Sequence, residues 1–331
     1  MLLVGDVGGT KTNLAVFSVE RGLRKPIQEE TLLSGRYPDL ISLLQDFLSR
    51  TNLVIDRVVL GVAGPVMGGQ ASITNLSWDI GERELAASLG VPVTLLNDLL
   101  AIASAVPYLE ADHLCTLNQG QPVAGGAMAV IAPGTGLGEA FLVWDGAAYR
   151  AYPSEGGHSD FAPNTPLEAD LWRYLHDRYG HVSVERVCSG LGLPNIYDFL
   201  RDSGQAEEPA WLAEQMAQAE DRTPVIVNAG LDAGASCLLC VRTVQVFVSI
   251  LGAEAGNLAL QTVATGGVYL GGGIPPRILS ALRDGGFLNA FRSKGRLTDL
   301  ARQIPVHVIL NPGVALLGAA HHALGPGRSL V

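Results

Sequence analysis

Residues 1–19, MLLVGDVGGTKTNLAVFSV, decide the reading of the fold. Leu2, Leu3 and Val4 are a short apolar run, Gly5-Asp6-Val7-Gly8-Gly9-Thr10 turns the chain, and Leu14-Ala15-Val16-Phe17 runs on as a second strand, so the stretch predicts a hairpin. Adjacent glycines permit positive φ and let backbone N–H groups approach an anion, which makes the turn a candidate phosphate cradle. Taken alone it is equally a glycine-tightened hairpin. The Walker pattern G-x-x-x-x-G-K-[ST] is a near miss, because Thr10 stands where its second glycine belongs and strand rather than helix follows.

The same grammar returns further on. AMAVIA (127–132) is an apolar strand, Gly134-Thr135-Gly136-Leu137-Gly138 a glycine turn, and Glu139–Trp144 a returning strand. Strand after G-x-G excludes a dinucleotide-binding unit, which needs a helix there. Two topologically similar lobes are therefore expected, although no identity between the halves is visible. Leu40, Leu43, Leu44, Phe47 and Leu48 mark an amphipathic helix over 38–50. Helices are further expected over 82–89, 99–106, 167–179, 210–219, an apolar 230–262 and a small-residue 312–324. Strands are expected over 58–63, 93–96 and 263–273. Alternating strands and helices predict an α/β protein.

A chain of 331 residues suggests two domains, and 48% hydrophobic with 16% charged content supplies two cores and excludes disorder. With 22 Lys+Arg against 32 Asp+Glu the formal net charge is −10, a field that opposes nucleic acid and anionic membrane surfaces, so neither is expected as a partner. Four cysteines without paired spacing predict no disulfide scaffold. Asp6 interrupts any signal-length apolar run, and Gly, Pro, Asn and Gln break the uncharged stretches 114–138 and 255–276; a cytoplasmic protein is expected.

Several polar residues sit where chemistry could use them. Asn97-Asp98 ends a buried strand; Asp98 suits a general base for phosphoryl transfer, or an N-cap of the helix that follows. Glu155-Gly156-Gly157-His158 lets a carboxylate and an imidazole converge on one small polar ligand, but no partner set at zinc spacing accompanies them, so no zinc is assigned. Cys237 and Cys240 lie in an apolar helical stretch and read as buried thiols. Glu185 alone reads as a solvated helix charge. Gly271-Gly272-Gly273 would let backbone pass a flat ring closely, or simply turn.

These pieces in order, GDVGGTKTNLAVF (5–17), GVAGPV (61–66), TNLSWDI (74–80), LLNDLLAIASAVP (95–107), APGTGLGEA (132–140), EGGHSDFAP (155–163), ERVCSGLGLPNIY (185–197) and GGVYLGGGIPPRIL (266–279), resemble the nucleotide-binding pattern of the actin-like ATPase and sugar-kinase fold. Closer still, the chain resembles the bacterial ATP-dependent glucokinases of the hexokinase group. The resemblance implies two ribonuclease-H-like lobes around a central cleft, a small one of 1–109 plus 312–331 and a large one of 110–311, and a homodimer. It implies phosphorylation of glucose at the 6-hydroxyl by Mg·ATP. Asn97, Asp98, Glu155, His158 and Glu185 would ring the sugar, with Asp98 as base. Asp6 would hold Mg²⁺ directly or through water; Gly8, Gly9, Thr10, Gly134, Thr135 and Gly136 would hold phosphates; Gly271, Gly272 and Gly273 would pass the adenosine. The zinc-binding cysteine cluster of the broader repressor–kinase group is absent after the Glu/His motif, which aligns the chain with the zinc-free members. The segment around Cys188 and Leu191, beside Glu185, is expected to tolerate variation. Kinases for mannose, fructose or an N-acetylhexosamine, a sugar sensor without turnover, and an ATPase acting on water are the rival readings.

Overall fold

A computed structural model describes residues 1–73, 76–232 and 237–325. The chain begins with strands β1 (Leu2–Val7), β2 (Lys11–Phe17) and β3 (Gln28–Leu33), then α1 (Leu40–Ser49), β4 (Arg57–Val62), β5 (Gln70–Ile73), β6 (Trp78–Gly81), α2 (Glu82–Leu89), β7 (Val93–Asn97) and α3 (Asp98–Ala105). There follow β8 (Leu114–Asn118), β9 (Met128–Pro133), β10 (Leu137–Trp144), β11 (Tyr149–Ser154), α4 (Pro166–Tyr179), α5 (Gly192–Asp202), α6 (Ala210–Gln218), α7 (Thr223–Leu231) and α8 (Leu238–Thr262). The last elements are β12 (Gly267–Leu270), α9 (Leu279–Arg283), α10 (Gly286–Arg292), α11 (Thr298–Gln303), β13 (Val306–Ile309) and α12 (Val314–Leu324). Two compact units divide these: Met1–Glu110, Leu142–Pro153 and Asn311–Val331 in the first, Ala111–Phe141 and Ser154–Leu310 in the second.

The two large sheets repeat one topology. The first runs β3-β2-β1-β4-β7, and the second runs β11-β10-β9-β12-β13 with β8 added at the β13 edge. Each is a three-strand meander whose first strand pairs in parallel with one crossover strand, which pairs in parallel with the next: β1 with β4 and β4 with β7, β9 with β12 and β12 with β13. The expected strand–turn–strand grammar thus appears twice, as the start of each sheet.

Local chemistry accounts for the elements. In α1 the predicted stripe buries Leu40, Leu43, Leu44 and Phe47, and Asp39 caps the start by accepting from the Ser42 amide at 2.7 Å. Gly5 lies centrally in β1, where a Cβ would come within 2.7 Å of Leu60 and 2.9 Å of Leu14; its absence lets those leucines close over the strand. The α12 helix crosses α3 so closely that a Cβ on Gly318 would overlap the Ala101 carbonyl, and its residues from Val314 to Ala320 are buried.

Two expectations need correction. The 230–262 helix is two: α7 stops at Leu231, α8 starts at Leu238, and 233–236 lie outside the described residues, as do Thr74 and Asn75 of the TNLSWDI segment. The 263–273 strand shrinks to Gly267–Leu270, because α8 runs on to Thr262 and Val263 ends it with a left-handed φ of +49°. The helix α8 is long and apolar enough to cross a membrane by length and composition, yet 67% of its most apolar window is buried inside the protein. It packs there against α5, α7 and α10.

Candidate functional site

In the first unit the candidate residues lie at or near the carboxyl ends of the parallel strands, where open α/β sheets leave room for ligands. Asp6 sits near the end of β1, opposite Asn13 on β2 and Gly61 on β4. Thr31 donates its hydroxyl to Asn13 Oδ1 at 2.8 Å, and Asn13 in turn donates its amide to Asp6 Oδ2 at 3.2 Å, so a fixed chain of bonds aims the carboxylate. Burial raises the Asp6 pKa above its ordinary value and the Asn13 bond only partly opposes this. A carboxylate that the protein leaves undercompensated suits a divalent cation. No group of three His, Cys, Asp or Glu side chains capable of holding a metal occurs among the described residues. A single carboxylate is a ligand of the kind Mg²⁺ uses, since that ion takes one or two carboxylates and completes its shell with water and phosphate.

The turn after β1 is held from β3's end: Ser34 Oγ donates to the Gly8 carbonyl at 2.7 Å, and the Ser34 amide donates to the Thr10 carbonyl at 3.1 Å. Neither Gly8 nor Gly9 takes a positive φ, contrary to the reason first given for them. Gly8 is needed for closeness instead, since a Cβ would meet the Lys11 carbonyl at 3.0 Å.

Asn97 and Asp98 divide their roles differently from the sequence expectation. The cap of α3 is Asn97, whose Oδ1 accepts from the amides of Leu99 and Leu100 at 3.0 and 3.3 Å, while its Nδ2 donates to the Gly64 carbonyl at 3.0 Å. Asp98 is the first helical residue, with Oδ1 accepting from the Leu99 amide at 2.8 Å. It is half-buried at the start of that helix.

The second unit brings three of the sugar candidates together. His158 Nε2 stands 3.9 Å from Glu155 Oε2 and His158 Nδ1 stands 4.0 Å from Glu185 Oε1. Glu155 and His158 are exposed, as a ligand would need, and Glu185 is half-buried. They come from two single 3-10 turns, Gly156–His158 and Val184–Arg186. Glu185 is tied to the glycine turn before β10, for its Oε2 accepts from the Leu137 amide at 2.9 Å, and a Cβ on Gly136 would overlap the same oxygen. Gly157 has no room for a Cβ against the Leu137 carbonyl, nor Gly156 against Glu139 Oε2. The two glycines of the Glu/His motif are therefore there because β10 lies directly beneath them.

The 133–136 turn also anchors two other segments. The Gly190 amide donates to the Gly134 carbonyl at 2.7 Å, the Leu191 amide to the Thr135 carbonyl at 3.3 Å, and the Ile274 amide to the Pro133 carbonyl at 3.3 Å. Gly272, at φ +79°, would set a Cβ 2.5 Å from the Pro133 carbonyl. The three-glycine run and the 133–136 turn thus touch. The segment around Cys188 and Leu191 is less tolerant than expected: Cys188 is fully buried, and Cβ atoms on Gly190 and Gly192 would come 2.9 Å from the Gly134 carbonyl and 2.7 Å from the Val187 carbonyl carbon. Leu191, by contrast, is exposed.

Gly134 and Gly273 behave unlike these. Neither has a positive φ, and a Cβ on either meets nothing within 4 Å, so the surrounding protein sets no steric demand for glycine at either place.

Sequence reasoning missed Glu139, Ser34, Thr31 and Asn13. Of these only Glu139 left a signal, a charge on a strand whose neighbours on the same face are apolar. Cys237 and Cys240 are buried free thiols, and burial pushes the Cys240 thiol up.

A family profile described as Glucokinase matches residues 3–325. A glucokinase of Trichormus variabilis is 41% identical over 337 aligned positions, covering 97% of this chain and 98% of the relative. The crystal structure of a glucokinase from an Antarctic psychrotroph superposes with a TM-score of 0.81 at 31% identity, covering 97% of this chain and 98% of that one. A ROK family glucokinase from Streptomyces griseus, solved with glucose and AMPPNP, shares the fold at a TM-score of 0.62 and 19% identity, over 96% and 98% of the two chains. The fold is the two-lobed actin-like one of sugar kinases.

Proposed function

This chain belongs to the glucokinase family and phosphorylates glucose with ATP, and from that premise we propose that Asp98 takes the proton of the 6-hydroxyl as that oxygen attacks the γ-phosphate. Asn97, Glu155, His158 and Glu185 bind the remaining hydroxyls. Carboxylates suit a polyol because each accepts several hydroxyl protons and leaves few groups unpaired. The turns at Gly8-Gly9-Thr10 and Gly134-Thr135-Gly136 take the phosphates, Gly271, Gly272 and Gly273 pass the adenosine, and Asp6 holds Mg²⁺ directly or through water. The ion, when bound, neutralises charge developing on the transferring phosphoryl group. One observation supports this reading: Glu185, a carboxylate of the proposed sugar site, accepts a hydrogen bond from the Leu137 amide, the residue that follows the proposed phosphate turn, so a group for the acceptor and a turn for the donor are fixed to each other.

The test is ADP release from Mg·ATP with glucose, mannose, fructose, N-acetylglucosamine or no sugar. Glucose-dependent release is expected, with the other hexoses slower. Equal release without sugar would make the protein an ATPase acting on water, and binding of glucose without any release would make it a sensor.

We further propose a cytoplasmic homodimer. The four cysteines are free thiols, which suits a reducing compartment. Neither α8 nor α12 offers its face as the dimer contact, since both are largely buried in their own units. Light scattering should return twice the 34.8 kDa chain mass, and a single chain mass would refute the dimer.

A further inference from the structure

Glu139 is an acidic side chain of the second unit that has no part in the reaction proposed above, and it lies against the Glu155–His158 turn. It points inward from β10, 1% exposed. Its Oε1 has no hydrogen-bond partner, and its Oε2 occupies the space that a Cβ on Gly156 would need. Two residues earlier on the same strand, Leu137 bonds Glu185 through its amide and underlies Gly157 through its carbonyl. The turn itself is short. It is closed by the His158 amide donating to the Glu155 carbonyl at 3.0 Å, the Ser159 amide to the Gly156 carbonyl at 2.9 Å and the Gly156 amide to Ser154 Oγ at 3.0 Å.

An apolar residue would fill the space beneath this turn at less cost than a carboxyl with an unpaired oxygen. We propose that Glu139 is a positioning residue for glucose: its buried carboxyl is the floor that sets the Glu155–His158 turn at the height where both side chains reach the sugar. This rests on the assignment of Glu155 and His158 to glucose.

The floor works when uncharged. Burial, with Glu254 of α8 opposing a second negative charge, pushes the Glu139 pKa up to about 8. The groups around it do not counter this. The Cys188 thiol is itself pushed up by burial and by the two carboxyls, and the Lys294 charge acts on Glu254, where with the Asn257 bond it only partly opposes the rise that burial gives that carboxyl; Asn257 donates to Glu254 Oε2 at 3.0 Å and accepts from Lys294 Nζ at 2.6 Å. On the turn side stand Glu155, His158 and Glu185. A proton lost from Glu139 puts a charge beneath two carboxylates that must hold the sugar, so they are driven apart and glucose binds less well. The sign follows: tight glucose binding is present below the raised value and lost as pH rises through it.

The experiment measures kcat and the KM values for glucose and ATP between about pH 6.5 and about pH 9.5 for the wild type, Glu139→Gln and Glu139→Ala. In the wild type the glucose KM is expected to rise on the order of tenfold across the upper half of that range, with kcat and the ATP KM moving far less. Glu139→Gln, neutral at every pH and of the same shape, should bind glucose like the wild type at neutral pH and lose the alkaline rise. Glu139→Ala should raise the glucose KM at all pH values. An alkaline rise that persists in Glu139→Gln overturns the proposal, as does a Glu139→Ala protein that melts earlier but keeps its glucose KM. Glu155→Gln and His158→Ala separate the two levels: if these raise the glucose KM and the Glu139 variants do not, the positioning role alone fails. If they leave it unchanged, the sugar assignment fails and takes this inference with it.

Discussion

Asp98→Asn is expected to lower kcat for glucose by about 10² to 10⁴-fold, the usual worth of a positioned general base, while glucose still binds. The substitution is mild for the fold. Asp98 Oδ1 accepts from the Leu99 amide, a bond that an asparagine oxygen can keep, and the helix is capped by Asn97 rather than by Asp98. What is lost is the ability to take a proton, and an amide oxygen cannot replace a carboxylate in that. The variant should therefore melt close to the wild type and bind glucose with similar affinity in calorimetry, yet release almost no ADP. A variant that retains more than about a tenth of wild-type kcat would remove Asp98 from the role of base and return it to that of a helix residue.

The contrast between Asn97 and Asp98 illustrates how far the sequence could be read. The strand–turn–strand order and the α1 stripe were legible because each depends on neighbours within a few residues, whereas strand ends were not: β1 runs through Gly5 to Val7 and β10 begins at Leu137, inside stretches that read as turns. The pair of similar lobes was legible because a strand–turn–strand grammar occurs twice, and the sheets duly share one order. The division of labour between two adjacent polar residues was not, since it depends on which one faces the Gly64 carbonyl, more than thirty residues away. The separation of α7 from α8 was missed because the apolar character that both helices share in the core of the second unit outweighed Asp232, Gly234 and Ser236 in the sequence between them. Glu139 was hidden in another way. Its meaning lies in Gly156 and Glu254, which only the packing of β10 under the 156–158 turn and against α8 brings to it.

Gly134→Val is expected to leave the fold intact and raise the KM for ATP about 10- to 100-fold, roughly 1.4–2.7 kcal/mol of lost binding. Most glycines near it are dictated by the protein. A Cβ on Gly136 would strike Glu185, one on Gly190 would crowd the Gly134 carbonyl, and Gly272 needs both its left-handed φ and its closeness to Pro133. Substituting any of these should lower stability as well as activity, so loss of function there identifies no ligand. Gly134 has open space where the side chain would go and an ordinary backbone conformation. Its neighbours still hold it in place, through the Gly136 carbonyl at 2.9 Å and the Gly190 amide at 2.7 Å, and neither bond involves the side chain. A valine should then meet only what binds there, and a phosphate drawn in by the backbone amides of the turn is what it would displace. Thermal melting beside ATP and glucose titrations decides the matter. An unchanged melt with a raised ATP KM and an unchanged glucose KM places the phosphates against this turn, whereas unchanged kinetics would mean that they pass elsewhere and that Gly134 is glycine for no reason the reaction supplies.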